Sequence, residues 1–178
     1  MMGTLQTAPA LDHPELLAAP VLEALRGWDR AGEVYVAPID AGLADTAAFC
    51  EAYQVGLDVS ANCVVIAGKR EGVVRYAACL VLATTRADVN GVARRQLDVR
   101  KASFAPMDAA TSETGMEYGG ITPIGLPGAW PILVDAAVAA TPNVIIGSGI
   151  RGSKIALPGK SLADLPGALV IEGLGIPS

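Results

Sequence analysis

Gly115-Met-Glu-Tyr-Gly119-Gly120-Ile-Thr-Pro123-Ile-Gly125-Leu-Pro127, then Ile132-Leu-Val-Asp135, then Val144-Ile-Ile-Gly147-Ser148-Gly149-Ile-Arg151-Gly152, is the most informative part of this 178-residue chain. Two glycine-rich loops stand at the ends of short apolar runs. Glycine lets backbone approach a ligand closely and reach positive φ; Pro123 stiffens the first loop and removes a donor. Backbone N–H groups in such loops can form a nest for an anion or a developing oxyanion. By spacing alone the same residues more simply describe two tight turns between strands, because isolated glycine patterns are weak signals.

Outward from these loops the pattern is one of short strands mixed with short helices. Toward the C-terminus, Pro131–Val134, Val144–Ile146, Ser153–Leu157 and Ala168–Ile171 read as strands. Ala136–Ala140 reads as a helical turn, and Ser161 as the cap of a brief helix over Leu162–Leu165. Toward the N-terminus, Lys101–Ala105 is a strand followed by a helix that Pro106 and Asp108 open and Gly115 closes. Cys63–Ala67 and Val73–Leu82 form a hairpin around the turn Gly68–Gly72. Thr84, Thr85, Arg86 and Asp88 form a loop, with Asp88 capping a helix over Val89–Leu97 that Gly91 weakens. Asp45 caps a helix to about Tyr53, Glu33–Val36 is a strand, and a helix opens at Pro14, carries Leu16, Leu17, Val21, Leu22 and Leu25 at helical spacing, and stops at Gly27. The class that follows is mixed α/β or α+β, one domain over residues 11–178 with residues 1–10 frayed.

Composition narrows the functional classes. Hydrophobic residues make up 52 % but aromatics only 4 %, so the core must be built of Val, Ile, Leu and Ala. No apolar run reaches the roughly 18 residues that span a bilayer, and Met1–Ala10 lacks a basic segment followed by an apolar one. Cys50, Cys63, Cys79 and the single His13 show no metal-ligand spacing, and the cysteines read as buried free thiols in a reducing cytoplasm. His13 reads as a capping or surface residue. There is no phosphate-loop motif, so neither a metal nor a cofactor is expected. The net charge is −5, but Lys69 to Lys101 carries eight basic residues against three acidic ones, a local +5 on a body of −10. That is compatible with contacting phosphates locally, and equally with ordinary solvated charges.

The run Gly119-Gly120-Ile-Thr-Pro123-Ile-Gly125, a strand ending in Asp135 and the loop Gly147–Gly152 resemble the YbaK/EbsC family, freestanding aminoacyl-tRNA editing domains related to the insertion domain of bacterial prolyl-tRNA synthetase. The likeness runs from about residue 45 to 172 and is strongest from Lys101 to Leu157. It implies a mixed β-barrel-like sheet surrounded by helices, with a pocket lined by the two glycine loops. It implies a cytoplasmic, trans-acting deacylase of mischarged tRNA, most often Cys- or Ala-charged proline tRNA, working beside prolyl-tRNA synthetase. Hydrolysis of such an ester needs donors for an oxyanion and a pocket that excludes the correct amino acid by size.

Under this resemblance the matching loop positions are Gly119, Gly120, Pro123 and Gly125, then Gly147, Ser148, Gly149 and Gly152. Arg151 and Lys154 are candidates for phosphate or the terminal adenosine, or are solvated strand-end charges. Asp135 either orients the pocket or caps the helical turn after it. One position departs from the family. Its lysine at the start of the strand after the second helix, central to activity, is replaced here by Asn62, with Cys63 next. Asn62 supplies no charge but can hydrogen-bond a carbonyl, an amine or a water. Lys69 lies at the far end of that strand; Lys101, starting another, is the candidate to reach the pocket from beside it, with a surface lysine as the alternative. Cys63 as nucleophile lacks a histidine to activate it. The competing reading is an inactive module of this fold that binds a tRNA end, a nucleotide or a protein partner.

Overall fold

The longest uninterrupted feature is a hairpin, and its sequence explains why. The computed structural model describes residues 2–178. Within it, β3 (Ala61–Arg70) and β4 (Val73–Leu82) pair antiparallel along their whole length, Ala61 opposite Leu82 and Arg70 opposite Val73. The expected five-residue turn is in fact two residues. Glu71 (φ 52°) and Gly72 (φ 79°) both adopt the left-handed conformation that matches the twist of a tight hairpin, so the strand continues through Gly68, Lys69 and Arg70. On β4, Ala77, Cys79 and Val81 face one apolar cluster and Leu80 faces another. Burial on both faces is what a continuous apolar run in a sheet signals.

Around this hairpin the chain builds two larger sheets and a ribbon. In order, the remaining strands among the described residues are β1 (Ala8–Pro9), β2 (Tyr35–Pro38), β5 (Thr85–Ala87), β6 (Ala102–Phe104), β7 (Ile132–Asp135), β8 (Val144–Gly147), β9 (Ser153–Leu157), β10 (Ala168–Ile171) and β11 (Gly175–Pro177). The five-stranded sheet runs β10-β7-β4-β3-β6, with β7 parallel to both β4 and β10. The four-stranded sheet runs β1-β2-β9-β8, all antiparallel. A parallel bridge between Ser60 and Ile145 brings the start of β3 against β8. The main core fills the space between the sheets: Val21, Leu25, Val36, Leu80, Val134, Ile146, Ile155 and Leu157. The class is mixed α/β, and the core is aliphatic as the composition requires.

The helices α1 (Ala19–Arg26), α2 (Thr46–Tyr53), α3 (Arg94–Leu97), α4 (Met107–Thr114), α5 (Ala136–Ala139) and α6 (Gly159–Leu162) are short and peripheral. Several boundaries correct the sequence-based expectations. The first helix starts at Ala19 with Pro20 in its first turn, and Pro14 opens only a 3-10 turn. Strand β2 begins at Tyr35, two residues later than expected. Ser161 does not cap: it lies inside α6, buried, and donates to Glu33 Oε1 at 2.8 Å. The expected loop at Thr84–Asp88 contains β5, paired with β11, a C-terminal strand the apolar pattern does not reveal. Asp88 does cap, accepting from Val92 N at 3.1 Å, but the turn it opens is a wide π turn over Val89–Ala93. A Cβ on Gly91 would fall 2.2 Å from the Asp88 carboxylate, so glycine there makes room for the cap. Residues 2–10 are docked rather than frayed: Thr4 N donates to Tyr53 O, Ala8 pairs with Val36 and Ala10 is buried.

Candidate functional site

Where β3 leaves the bridge to β8, the two sheets diverge and a cleft of about 310 Å³ opens. Its floor and walls are Ala61–Val65 of β3, Ile145–Gly147 of β8 and Lys154 of β9. The start of α2 (Ala44, Asp45, Thr46), the first glycine loop (Tyr118, Gly119, Ile121) and Phe104 and Ala105 close its sides. The volume lies at the small end of ligand-binding cavities.

The glycines hold the two loops against each other. A Cβ on Gly147 would sit 2.5 Å from Gly120 O, and one on Gly120 would sit 2.7 Å from the Ile150 carbonyl. Gly149 N donates to Gly120 O at 2.7 Å and Glu117 N to Gly149 O at 2.9 Å. Gly119 and Gly149 take φ of 89° and 91°, a region that penalises any side chain. Of the glycine-loop residues matched by resemblance, Gly119 and Gly147 line the cleft. Gly120, Gly149 and Ser148 brace the loops from behind. Ser148 Oγ lies 2.6 Å from Ser153 Oγ, whose hydroxyl also meets Leu16 O. Pro123 and Gly125 line a separate apolar hollow with Trp28 and Trp130. Gly152 does not line the cleft, and its carbonyl accepts from Ile39 N at 2.9 Å.

Three successive amides of the second loop are already engaged within the protein. Gly149 N is bonded to Gly120 O, Ile150 N to Ser148 Oγ, and Arg151 N to Glu117 Oε1 at 2.8 Å. Arg151 is a clamp: its guanidinium donates to Tyr118 O at 3.1 Å and Ala41 O at 3.3 Å and stands 3.7 Å from Asp45. This pairing also accounts for Asp45, which occupies the N-cap position of α2 yet accepts no cap hydrogen bond.

Two polar side chains face the cleft from opposite sheets. Asn62 Oδ1 accepts from Thr46 Oγ1 at 2.5 Å, which fixes the amide and leaves its Nδ2 donors without a protein acceptor among the described residues. Lys154 is 9 % exposed; its Nζ donates to Ala44 O at 3.0 Å and lies 5.1 Å from the centroid of the Phe49 ring. Burial pushes its pKa down, with nearby Arg151 adding to the effect and Cys50 and Asp45 opposing it. Lys101 is exposed at the foot of β6 and is not among the cleft-lining residues. Cys63 lines the cleft, but burial and neighbouring Cys79 raise its thiol pKa far above the ordinary value, and Cys79 is itself pushed up to about 12. Thiols so protonated are poor nucleophiles. Asp135 is buried away from the cleft at the start of α5; burial raises its carboxyl, and the N–H groups of Gly175 and Ala136 oppose that. His13 is on the surface, 3.3 Å from Glu15. Among the described residues no group of His, Cys, Asp and Glu is placed to hold a metal ion, and no helix is long and apolar enough to cross a membrane.

Lys154 is the cleft residue whose weight the sequence reading missed. Its signal was present: a lysine inside Ser153-Lys-Ile-Ala-Leu157, a strand buried at every position. A charged residue in such a run is rarely buried without a partner or a task.

At the mouth, Phe104 is 63 % and Tyr118 53 % exposed. In a chain with eight aromatic residues, these are two unburied rings on different elements that line one opening.

The model of the aminoacyl-tRNA editing domain family matches residues 40–165, a span that contains every residue lining this cleft. Among solved structures, the fold is shared with "a putative trans-editing enzyme for prolyl tRNA synthetase", at 24 % identity and a TM-score of 0.72, covering 87 % of this chain and 94 % of that one. It is shared also with "hypothetical protein APE2540", at 16 % identity and a TM-score of 0.76, covering 88 % and 99 %.

Proposed function

This chain belongs to the aminoacyl-tRNA editing domain family, and from that premise we propose that it is a trans-acting deacylase that hydrolyses the ester of mischarged tRNA, with Cys- or Ala-charged proline tRNA as its first substrates. It would then act downstream of prolyl-tRNA synthetase. The observation that carries this reading is the small cleft, built wholly from the family-matched span, with hydrogen-bond donors on two walls and aliphatic side chains between them.

The chemistry asks little of the protein beyond positioning and electrostatics. Water attacks the ester carbonyl and forms the new acyl C–O bond; the acyl C–O bond to the ribose breaks, one proton of the water ends on the ribose oxygen, and the amino acid leaves with a free carboxyl group. Charge develops on the carbonyl oxygen, where pre-aimed donors act most strongly in a water-poor site. Asn62, held by Thr46, is such a donor. Val65, Ile121 and Ile146 bound the space for the amino-acid side chain, so a small residue fits and a bulkier one is excluded by contact. Phe104 and Tyr118 offer planar faces on which an unpaired terminal base can stack.

The decisive experiment is release of amino acid from a panel of mischarged tRNAs, Ala- and Cys-charged proline tRNA first, by the wild type and by Asn62→Ala. Rapid release of a small amino acid, slowed at least about tenfold by the substitution, is the expected outcome. Release unaffected by the substitution would keep the activity but remove Asn62 from it. No release from any charged tRNA by the folded protein would sink the deacylase reading. It would favour the alternative that Asn62 raises on its own, an inactive module holding a tRNA end, a nucleotide or a protein.

A further inference from the structure

Lys154 poses an energetic question that the fold does not answer. An ammonium removed from water is costly unless it is paired and hydrogen-bonded. Lys154 is 9 % exposed and forms no salt bridge among the described residues; the one carboxylate near this wall, Asp45, is 81 % exposed and turned toward Arg151 at 3.7 Å. Of the three ammonium donors, one is used on Ala44 O and the Phe49 ring supplies a cation–π contact. Lys154 and Asn62 both line the cleft, from β9 and from β3. Tethering the start of α2 needs one neutral donor, not a buried charge. A positive charge kept at that cost, in a cleft with no negative charge of its own except at its rim, fits a ligand that brings or develops a negative one.

We propose that Lys154, reaching in from β9, is the catalytic cation of this site: its ammonium and the Asn62 amide together hold the ester carbonyl and the oxyanion that forms on it. This rests on the deacylase reading above. Burial lowers the pKa of Lys154 from the ordinary lysine value. Charge on β9 also compensates chemically for a neutral side chain at position 62 of β3.

The test is a charge-relocation series on the full chain, with folding checked by thermal melting. Lys154→Met is expected to lower kcat by at least about a hundred-fold, as loss of an oxyanion donor does, with KM changed much less. Lys154→Arg should retain a larger share of the rate. The double variant Asn62→Lys with Lys154→Met places the cation on the opposite wall and is expected to recover at least tenfold over Lys154→Met alone, on the order of the lost electrostatic contribution. Should Lys154→Met fail to fold, Lys154→Gln, which keeps a donor for Ala44 O, takes its place. Wild-type kcat in the folded neutral variant overturns the proposal while leaving the deacylase reading intact. If the wild type itself releases nothing, the deacylase reading falls, and calorimetry with the amide-linked analogue 3′-alanylamino-3′-deoxyadenosine decides for Lys154. A drop in affinity of about tenfold or more in the neutral variant, the scale of a charge-assisted hydrogen bond, supports its contact with the carbonyl; equal binding, or none by either protein, overturns it.

Discussion

At the scale of single residues, Lys154 links stability to pH in a direction opposite to most lysines. Its pKa in the folded protein lies below the ordinary 10.5 because burial disfavours the charged form. Between the folded and unfolded values the unfolded chain binds more protons, so stability rises with pH in that window. Below the folded pKa both states are charged, and the cost of burying the ammonium is present in full. Wild type is therefore expected to gain stability relative to Lys154→Met as pH climbs toward 10.5, measured as the difference between their urea midpoints. A constant difference across that range would show that the ammonium carries no burial cost. The sequence disclosed Asn62 as a polar position at the head of a strand, because strand and hairpin signals fix its register. It did not disclose that Thr46 would orient that amide, since the two meet only through the packing of α2 on β3. Nor did it rank Lys154 above Lys101: that ranking depends on which strand is buried on both faces.

At the scale of elements, the glycine loops pack against each other, and Gly119 and Gly147 also line the cleft. Their positions were legible because glycine is demanded by close backbone approach, whatever the purpose of that approach. Their role was not, because a sequence cannot say whether the neighbour that forbids a Cβ is a ligand or another loop. Here it is the other loop: Gly147 abuts Gly120 O and Ile121 O. Gly147→Ala must push the loops apart and is expected to destabilise the protein by about 1–3 kcal/mol, the usual cost of overpacking, seen as a lower denaturant midpoint. Because Lys154 pairs with Gly147 in the β8–β9 register, the same substitution should also slow deacylation. Gly128→Ala, with open space around its added Cβ, is the control and should change neither. The elements misplaced from sequence share one cause. Pro14 and Ser161 carry local signals that tertiary packing overrides, and β5 and β11 are too short and polar to announce a pairing that only the folded chain supplies.

At the scale of the molecule, charge is segregated along the hairpin. Asn62 lies at the cleft end of β3, and Lys69 and Arg70 lie at the other end. Arg70 and Arg75 are both tied to Asp98, at 2.8 and 3.8 Å, whereas Arg95, Arg100 and Lys101 are exposed beside them. Edge strand β6 runs from this basic end to Phe104 at the cleft mouth, pairing with β3 at Gly68, Ala67 and Ile66 on the way. A phosphate backbone leaving the cleft along that edge would meet the basic cluster. Reversing two of its charges, Arg95→Glu with Arg100→Glu, is expected to raise KM for charged tRNA about tenfold or more, leave kcat nearly unchanged and flatten the dependence of binding on salt. An unchanged salt slope would place the tRNA elsewhere. The local excess of positive charge was countable in the sequence; its continuity with the cleft was not, because β6 must first dock on β3.

The two walls of the cleft also differ in when they can exist. The Asn62 wall is a hairpin closed by Glu71 and Gly72, neighbours along the chain. The Lys154 wall joins β9 to nearby β8, but it is completed only when Tyr35 pairs with Ala156 and Pro38 with Ser153, partners far apart in the sequence. Pairings that distant form slowly, after local ones are in place. On the ribosome, the hairpin can fold as soon as it emerges, but its inner face must wait, apolar and uncovered, until the strand carrying Lys154 has been made. An incomplete nascent chain is thus half a site with an exposed apolar flank, the kind of intermediate that is prone to aggregate.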